Sequence, residues 1–552
     1  MERGAIKKDG AGMVRVALVF PAVYRVGMSN LGFQAVYRAF NSLDFAVAER
    51  FFLPSNDDVL EHERTSTPLF SIETSSPLYD FDVIAFSVSF EEDYVNIPAI
   101  MRLGRVPLYS KDRPSGPIVI AGGAGPSLNP EPLADFIDAF VIGDGEQAAR
   151  AIADEILDYK NKREAKESLV SRLSRIEGVY VPSLYAYSFD GPRIAAIKAD
   201  HAPKVVRAIK NPVGRGCRMA ETVVTTPETE FGESVLMEIE RGCGRGCRFC
   251  AAGFMYLPPR WQDTGDVIDN VKSAATRAKK VGLVGAAVSE HPGLKEIIRA
   301  SMEAGVEVTL SSLRADCIDA QLLGLLKEAG YKTVTIAPEA ATERMRGVIN
   351  KGFTDEGLIE TARMIGRAGF RRLKLYFMIG LPTETDEDAA AVAGLALRMR
   401  AAINGTVSVS VNPFVPKPFT PFEWHPFEQT KTIEARLASI KKILLKEKGV
   451  ELRAYSPKEA FWQALLSRGD RRLGSVIELA SVKGWKRALR ESGFDAEGAV
   501  YGERKRRDML PWDVIDHGVR KDYLRAEYER ALRAKPTPPC EVGRCFRCGV
   551  CK

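Results

Sequence analysis

Glu240-Arg241-Gly242-Cys243-Gly244-Arg245-Gly246-Cys247-Arg248-Phe249-Cys250 is the stretch on which the reading of this chain turns. Its cysteines are spaced C-x3-C-x2-C with glycines between them, and no fourth cysteine follows nearby. Soft thiolates suit iron–sulfur clusters, and three of them can wrap three corners of a cubic 4Fe–4S cluster while one iron stays open to a small molecule. Gly242, Gly244 and Gly246 let the backbone turn tightly against an inorganic core. Arg241, Arg245 and Arg248 are expected to bring positive charge to it. A structural zinc knuckle is the alternative, but zinc prefers four ligands and the second pair is missing. The apolar run Val235-Leu236-Met237-Glu238-Ile239 just upstream reads as a short buried strand, so the cysteine loop leaves a strand end.

Further strand-like runs follow that loop: 281–288, 306–310, 333–337, 373–379 and 407–411, with helical patterns between them. Six strand–helix units beginning at Val235 predict an open, partial (β/α)6 barrel over residues 233–430, with its site on the strand C-terminal face. Residues 1–200 also alternate apolar strands with helices. The runs at 14–20, 81–88, 117–123 and 140–143 predict a doubly wound, Rossmann-like parallel sheet. Ligands on such sheets bind at the carboxyl ends of the strands, here Ser87 to Phe90, Gly122 to Ser127 and Gly143 to Glu146. A stretch poor in strands from about 186 to 230 is read as linking the two units, with the connector proper at 201–232. Residues 431–535 are helical in pattern, and 536–552 form a cysteine-rich tail. The fold class is therefore α/β.

The cysteine run, with aromatic Phe249 before its last cysteine, resembles the signature of the radical S-adenosylmethionine (SAM) superfamily. The resemblance implies that Cys243, Cys247 and Cys250 hold a catalytic 4Fe–4S cluster whose open iron chelates SAM. Reductive cleavage of SAM would then release a 5′-deoxyadenosyl radical. It also implies SAM-binding roles for residues on the barrel loops. These are Ser289 and Glu290, which stand where the usual Gly-Gly-Glu run is missing, then Ser312 and Arg314, Glu339 and Arg344, and Gly380. The loop Gly380-Leu381-Pro382-Thr383-Glu384-Thr385 would pass the adenine, although Thr385 and Asp388 are also spaced as a helix capping box. In the N-terminal unit, Gly122-Gly123-Ala124-Gly125-Pro126-Ser127 and Gly143-Asp144-Gly145-Glu146 resemble the glycine loops of cobalamin-binding members. Gly122, Gly123, Gly143 and Glu146 are the cobalamin candidates. The Asp-x-His-x-x-Gly motif that supplies a lower imidazole is absent, and His62, the clearest histidine of this unit, lies in a loop-like region. Such loops also serve as plain structural turns.

The tail carries Cys540, Cys545, Cys548 and Cys551 as C-x4-C-x2-C-x2-C. Its close spacing is nearer a ferredoxin run than a zinc ribbon, so a second 4Fe–4S cluster is expected, with zinc the alternative. Cys217 and Cys317 stand alone and read as small core residues. The Pro-rich segment Asn412 to Trp424 reads either as an aromatic lid over the barrel or as a stiff, packed exit from it.

Nine cysteines among 552 residues, clustered in this way, point to metal binding and not disulfides. No apolar run is long enough to span a membrane, and the N-terminus shows no secretory pattern, so a reducing cytoplasm is expected. The net charge of +6 is too slight to argue for nucleic acid, and the basic runs at 468–472 and 504–507 leave an RNA substrate unsupported. The expected activity is that of a radical SAM enzyme, through cobalamin-dependent methyl transfer or a cobalamin-independent transformation, on an unknown substrate. Flavodoxin or ferredoxin is the expected electron donor. A non-catalytic iron–sulfur or zinc scaffold is the remaining alternative. A methylthiotransferase is disfavoured, because that family's N-terminal domain carries cysteines and this one has none before Cys217.

Overall fold

The computed structural model describes residues 2–212 and 219–551; Cys217 lies outside them. Its N-terminal sheet contains β1 (Val14–Phe20), β2 (Ala46–Phe52), β3 (Val83–Ser87), β4 (Ile118–Gly122), β5 (Ala139–Val141) and β6 (Val179–Tyr180). The order is β2-β1-β3-β4-β5-β6, with the first five strands parallel and β6 antiparallel. Both faces of β1 are buried: Val16 and Leu18 enter one apolar core, and Ala17 and Val19 enter the other. Burial on two sides is why these strands read as continuous apolar runs.

Strand β2 escapes that pattern because Glu49 and Arg50 interrupt it. Both are buried, and both are satisfied. Arg50 pairs with Glu73 at 2.6 Å and Glu2 at 2.7 Å, while Glu49 accepts from Ser71 and Thr74. His62 sits on the helix Asn56–Thr65, not in a loop.

The stretch expected to be poor in strands contains the antiparallel hairpin β7 (Tyr185–Asp190) and β8 (Arg193–Ala199). Much of this hairpin is exposed, so it never forms a continuous apolar run. Beyond it, β9 (Val206–Arg207) runs parallel to a short C-terminal strand described below.

The second unit begins with β10 (Ser234–Glu238), followed by the short β11 (Glu240–Arg241) and β12 (Arg260–Trp261). Next come β13 (Lys280–Val284), β14 (Glu307–Leu310), β15 (Thr333–Glu339), β16 (Arg372–Ile379) and β17 (Thr406–Pro413). Strands β10, β13 and β14 form one parallel sheet, and β15, β16 and β17 belong to another. The parallel bridge Leu313–Ile336 joins the two into an open barrel wall.

A further parallel strand, β18 (Val450–Ala454), extends this wall inside the C-terminal region that reads as helical. It is a largely exposed edge, which explains its silence in the sequence. The final strand, β19 (Ile515–Asp516), pairs with β9.

Burial alternates along β16: Leu373, Leu375, Phe377 and Ile379 pack under the helices, whereas Lys374, Tyr376 and Met378 are half-buried on the inner face. The barrel interior is therefore not sealed by its own side chains. Among the described residues no helix is long and apolar enough to cross a membrane.

Candidate active site

The cysteine loop is closed at its base by β11 and β12, which pair antiparallel. Gly242 has φ +84°, and a Cβ there would collide with the carbonyl oxygen of Tyr256. Gly246, at φ +67°, supplies a second left-handed turn. Cys250 N–H donates to the Cys247 carbonyl at 3.0 Å, curling the loop inward. All three cysteines are half-buried. Burial, with the neighbouring thiols, pushes Cys243 up to about 12 and Cys250 up to about 11. Free thiols here stay protonated, and cationic iron would displace those protons on binding.

The three arginines of the loop do not turn toward the thiols together, as the sequence suggests. Arg241 pairs with Asp144 at 2.8 Å, Glu146 at 3.0 Å and Glu238 at 2.6 Å. It therefore bolts the cysteine loop to the glycine loop of the N-terminal sheet. Arg245 pairs with Glu290 at 2.6 Å. Arg248 is fully buried, pairs with Glu527 at 3.0 Å, and donates to the carbonyls of Gly347, Val348 and Lys535. Buried charges require partners of this kind, and the role of these arginines is to fix the loop's position.

Charged residues from different barrel loops stand within electrostatic reach of each cysteine: Glu290 for Cys243, Arg314 for Cys247, and Glu339 with Lys351 for Cys250. Arg314 also meets Glu290 at 3.1 Å and Asp316 at 2.9 Å, and its backbone N–H donates to Ser289 Oγ at 3.2 Å. Glu339 lies 3.4 Å from Lys351 and has φ +66°, a conformation a side-chain-bearing residue adopts at a cost. Burial raises its pKa, opposed by Lys351.

Phe249 packs beside Met345, Ile349 and Phe414, with Lys351 over its ring at 5.9 Å. Ser312 is exposed. Arg344 is held by Asp388 and Thr383, tying its helix to the loop after β16. In that loop Gly380 N–H donates to Glu384 at 2.6 Å, and the Thr385–Asp388 capping box is formed. Phe414, Phe422 and Trp424 of the Pro-rich segment are buried in core clusters, which is the packed-exit arrangement. Cys317 is half-buried, with its thiol against Asp316.

A cavity of about 580 Å³ opens at the carboxyl ends of β1, β3, β4 and β5. Small residues form its sheet-side rim, including Ser87, Gly122, Gly123, Gly143 and Gly145. Not all of these glycines are there for a ligand. A Cβ on Gly123 would strike the Val88 carbonyl, and one on Gly143 the Ile209 carbonyl, so both serve close backbone packing. Gly145 is different: a Cβ there would meet only Val141, at 3.8 Å, leaving its open side to the cavity.

The opposite wall comes from the barrel and includes Leu236, Glu240, Arg241, Gly242 and Tyr256. Glu240 was not singled out from the sequence. It is buried, accepts from Ala287 N–H at 2.8 Å through Oε2, and leaves Oε1 without a hydrogen-bond partner. Among the described residues no histidine lines the cavity. Its size falls in the range of cofactor sites, and the glycine rim with the orphaned carboxylate oxygen suits a large, partly polar guest.

Cys540, Cys545 and Cys548 of the tail lie against the cysteine loop. Cys540 N–H donates to the Gly244 carbonyl at 2.6 Å, and Cys548 is buried. Among the described residues, no three His, Cys, Asp or Glu side chains gather closely enough to hold a single ion. The basic runs are partly internal. Arg468 is buried and donates to the carbonyls of Glu423, His425 and Gly502, and Arg471 pairs with Glu131 at 2.8 Å.

Two family models match the chain: "Radical SAM proteins, N-terminal" over residues 32–182, and "Radical SAM superfamily" over residues 237–396. The chain is 30% identical over 467 residues to the uncharacterized protein MJ0966 of Methanocaldococcus jannaschii, covering 84% of this chain and 90% of that one. Among solved structures it is similar to TsrM from Kitasatospora setae, a radical SAM methyltransferase solved with tryptophan substrate and a SAM analogue. There the TM-score is 0.48 at 13% identity, covering 94% of this chain and 98% of that one. It is also similar to OxsB, a cobalamin-dependent SAM radical enzyme, with a TM-score of 0.47 at 16% identity over 70% of this chain; it spans 52% of OxsB's length.

Proposed function

The chain belongs to the radical SAM superfamily, and on that premise we propose that it is a cobalamin-binding member that transfers a methyl group to an unactivated carbon of its substrate. Membership makes it an enzyme and implies a 4Fe–4S cluster and SAM. The observation that carries the finer reading is the shared cavity. One wall is the strand-end rim of the N-terminal sheet, and the other is Glu240–Gly242, the residues that lead into the cysteine loop. A guest of the first unit therefore lies beside the reaction centre of the second.

When bound, the cluster supplies the electron that cleaves SAM and the corrin supplies a transferable methyl group. The chain's own residues do the rest. Cys243, Cys247 and Cys250 would hold the cluster and, being three, would leave one iron open. Glu290 and Glu339 offer carboxylates to the ammonium and ribose of SAM, and Arg314 offers a guanidinium to its carboxylate. The Gly380–Thr385 loop would border the adenine. Gly145 and Gly122, which line the cavity, would leave room for a corrin edge.

Anaerobic reconstitution with iron, sulfide and hydroxocobalamin tests this. The expected result is one corrin retained per chain and 5′-deoxyadenosine formed from SAM. Failure to retain corrin would remove methyl transfer through cobalamin, and failure to cleave SAM would remove the cluster assignment as well.

A further inference from the structure

The tail does not hang from the chain; it is clamped to the cysteine loop from several sides. Arg248, between Cys247 and Cys250, reaches Glu527 in the last helix and the Lys535 carbonyl at 2.7 Å. Asn350 donates to the carbonyls of Gly246 and Thr537, both at 3.1 Å, and accepts from Thr537 N–H at 2.8 Å. Where Cys540 meets Gly244, a Cβ on the glycine would stand 3.2 Å from the Cys540 Cβ and crowd the contact. Cys243 of the central set and Cys540, Cys545 and Cys548 of the tail line one small cleft of about 20 Å³. The far side of the tail faces solvent: Phe546 is 53% exposed, and Val542 and Arg544 are exposed beside it.

We propose that the tail binds a second 4Fe–4S cluster and is the port through which electrons reach the central one. This rests on the central cluster assigned above. Four thiolates would satisfy all four irons of the tail cluster, leaving it no open iron for chemistry. Such a cluster can fold the tail or pass electrons, and its position against the cysteine loop suits the second task. The tail covers the cysteine loop on one side and turns its own far side to solvent, so a carrier docking on that face would meet the tail before the loop. One electron leaves a reduced carrier protein of the flavodoxin or ferredoxin class, passes through the tail, and reduces the central cluster by one. The carrier is oxidised by one, and no bond or proton is exchanged. Zinc in the same thiolates has no redox chemistry and could not serve.

The test uses the full chain, reconstituted anaerobically. Wild type should hold about eight irons, and the double variant Cys545→Ser/Cys551→Ser about four. In fully reduced wild type, electron paramagnetic resonance should show two clusters broadened by mutual spin coupling; in the variant one uncoupled signal should remain. Dithionite should still reduce the variant's central cluster, whereas reduced flavodoxin or ferredoxin should not. About four irons in wild type, zinc in the tail, no spin coupling, or unchanged reduction of the variant by the carrier would each overturn the proposal. The wild-type measurements decide it even if the variant misfolds. Loss of SAM cleavage by dithionite-reduced wild type would instead strike the central cluster and leave the tail's iron count standing.

Discussion

The two α/β units of this chain treat their strands differently. In the N-terminal sheet, β1 is buried on both faces, so a ligand can bind only at the strand ends, where glycine and serine loops leave a cavity. In the barrel, β16 buries one face and leaves the other half-exposed, so a ligand can be held inside the curved wall. On the proposed function this contrast divides the labour: an edge cavity for the corrin, and an interior site whose mouth carries the cysteine loop. Arg241 and Glu240 stand where the two meet.

The largest expected effect lies on the barrel side. Cys243→Ala should abolish 5′-deoxyadenosine formation while leaving corrin retention intact, measured by product chromatography and by the corrin absorbance. Loss of both together would break the division. On the sheet side, Gly145→Trp should fill the cavity rim and sharply reduce retained corrin, yet SAM should still be cleaved under dithionite.

At the junction, Arg241→Met leaves Asp144, Glu146 and Glu238 without their shared guanidinium. Breaking a buried pair from one side costs about 3–5 kcal/mol, so a marked fall in Tm is expected; an unchanged Tm would mean the two loops are not coupled. The smallest effect concerns Glu240. Burial, with the charge of Glu290, lifts its carboxyl to about 7 against the pull of the Ala287 N–H. The folded chain therefore holds this proton more tightly than the unfolded chain. Its contribution to stability is complete below about pH 4.5 and is lost as pH rises through about 7. Glu240→Gln should flatten the Tm profile across that window, and an unaltered slope would locate the titration elsewhere.

Much of this was legible in the sequence because it was encoded locally. The thiolate spacing, the glycines that free the backbone and the two-sided apolar strands are all short-range patterns. Strands β2, β7, β8 and β18 were missed because none forms a plain apolar run: β2 buries charged residues whose partners lie far away in sequence, and β7, β8 and β18 are largely exposed. Arg50 is tolerated inside β2 only because Glu2 and Glu73 fold onto it. Glu240 was silent because a glutamate before an arginine carries no signal until Ala287 and the cavity close around it.

By itself, then, the sequence determined the ligand chemistry: three soft donors without a fourth, four donors in the tail, and the order of two α/β units. Only tertiary structure decided what those parts face. Where the loop's arginines point, which glycines serve a cavity and which serve backbone packing, and that the tail rests on Gly244 all depend on contacts between residues far apart in the chain. Donor type is a property of a residue, while proximity is a property of the fold.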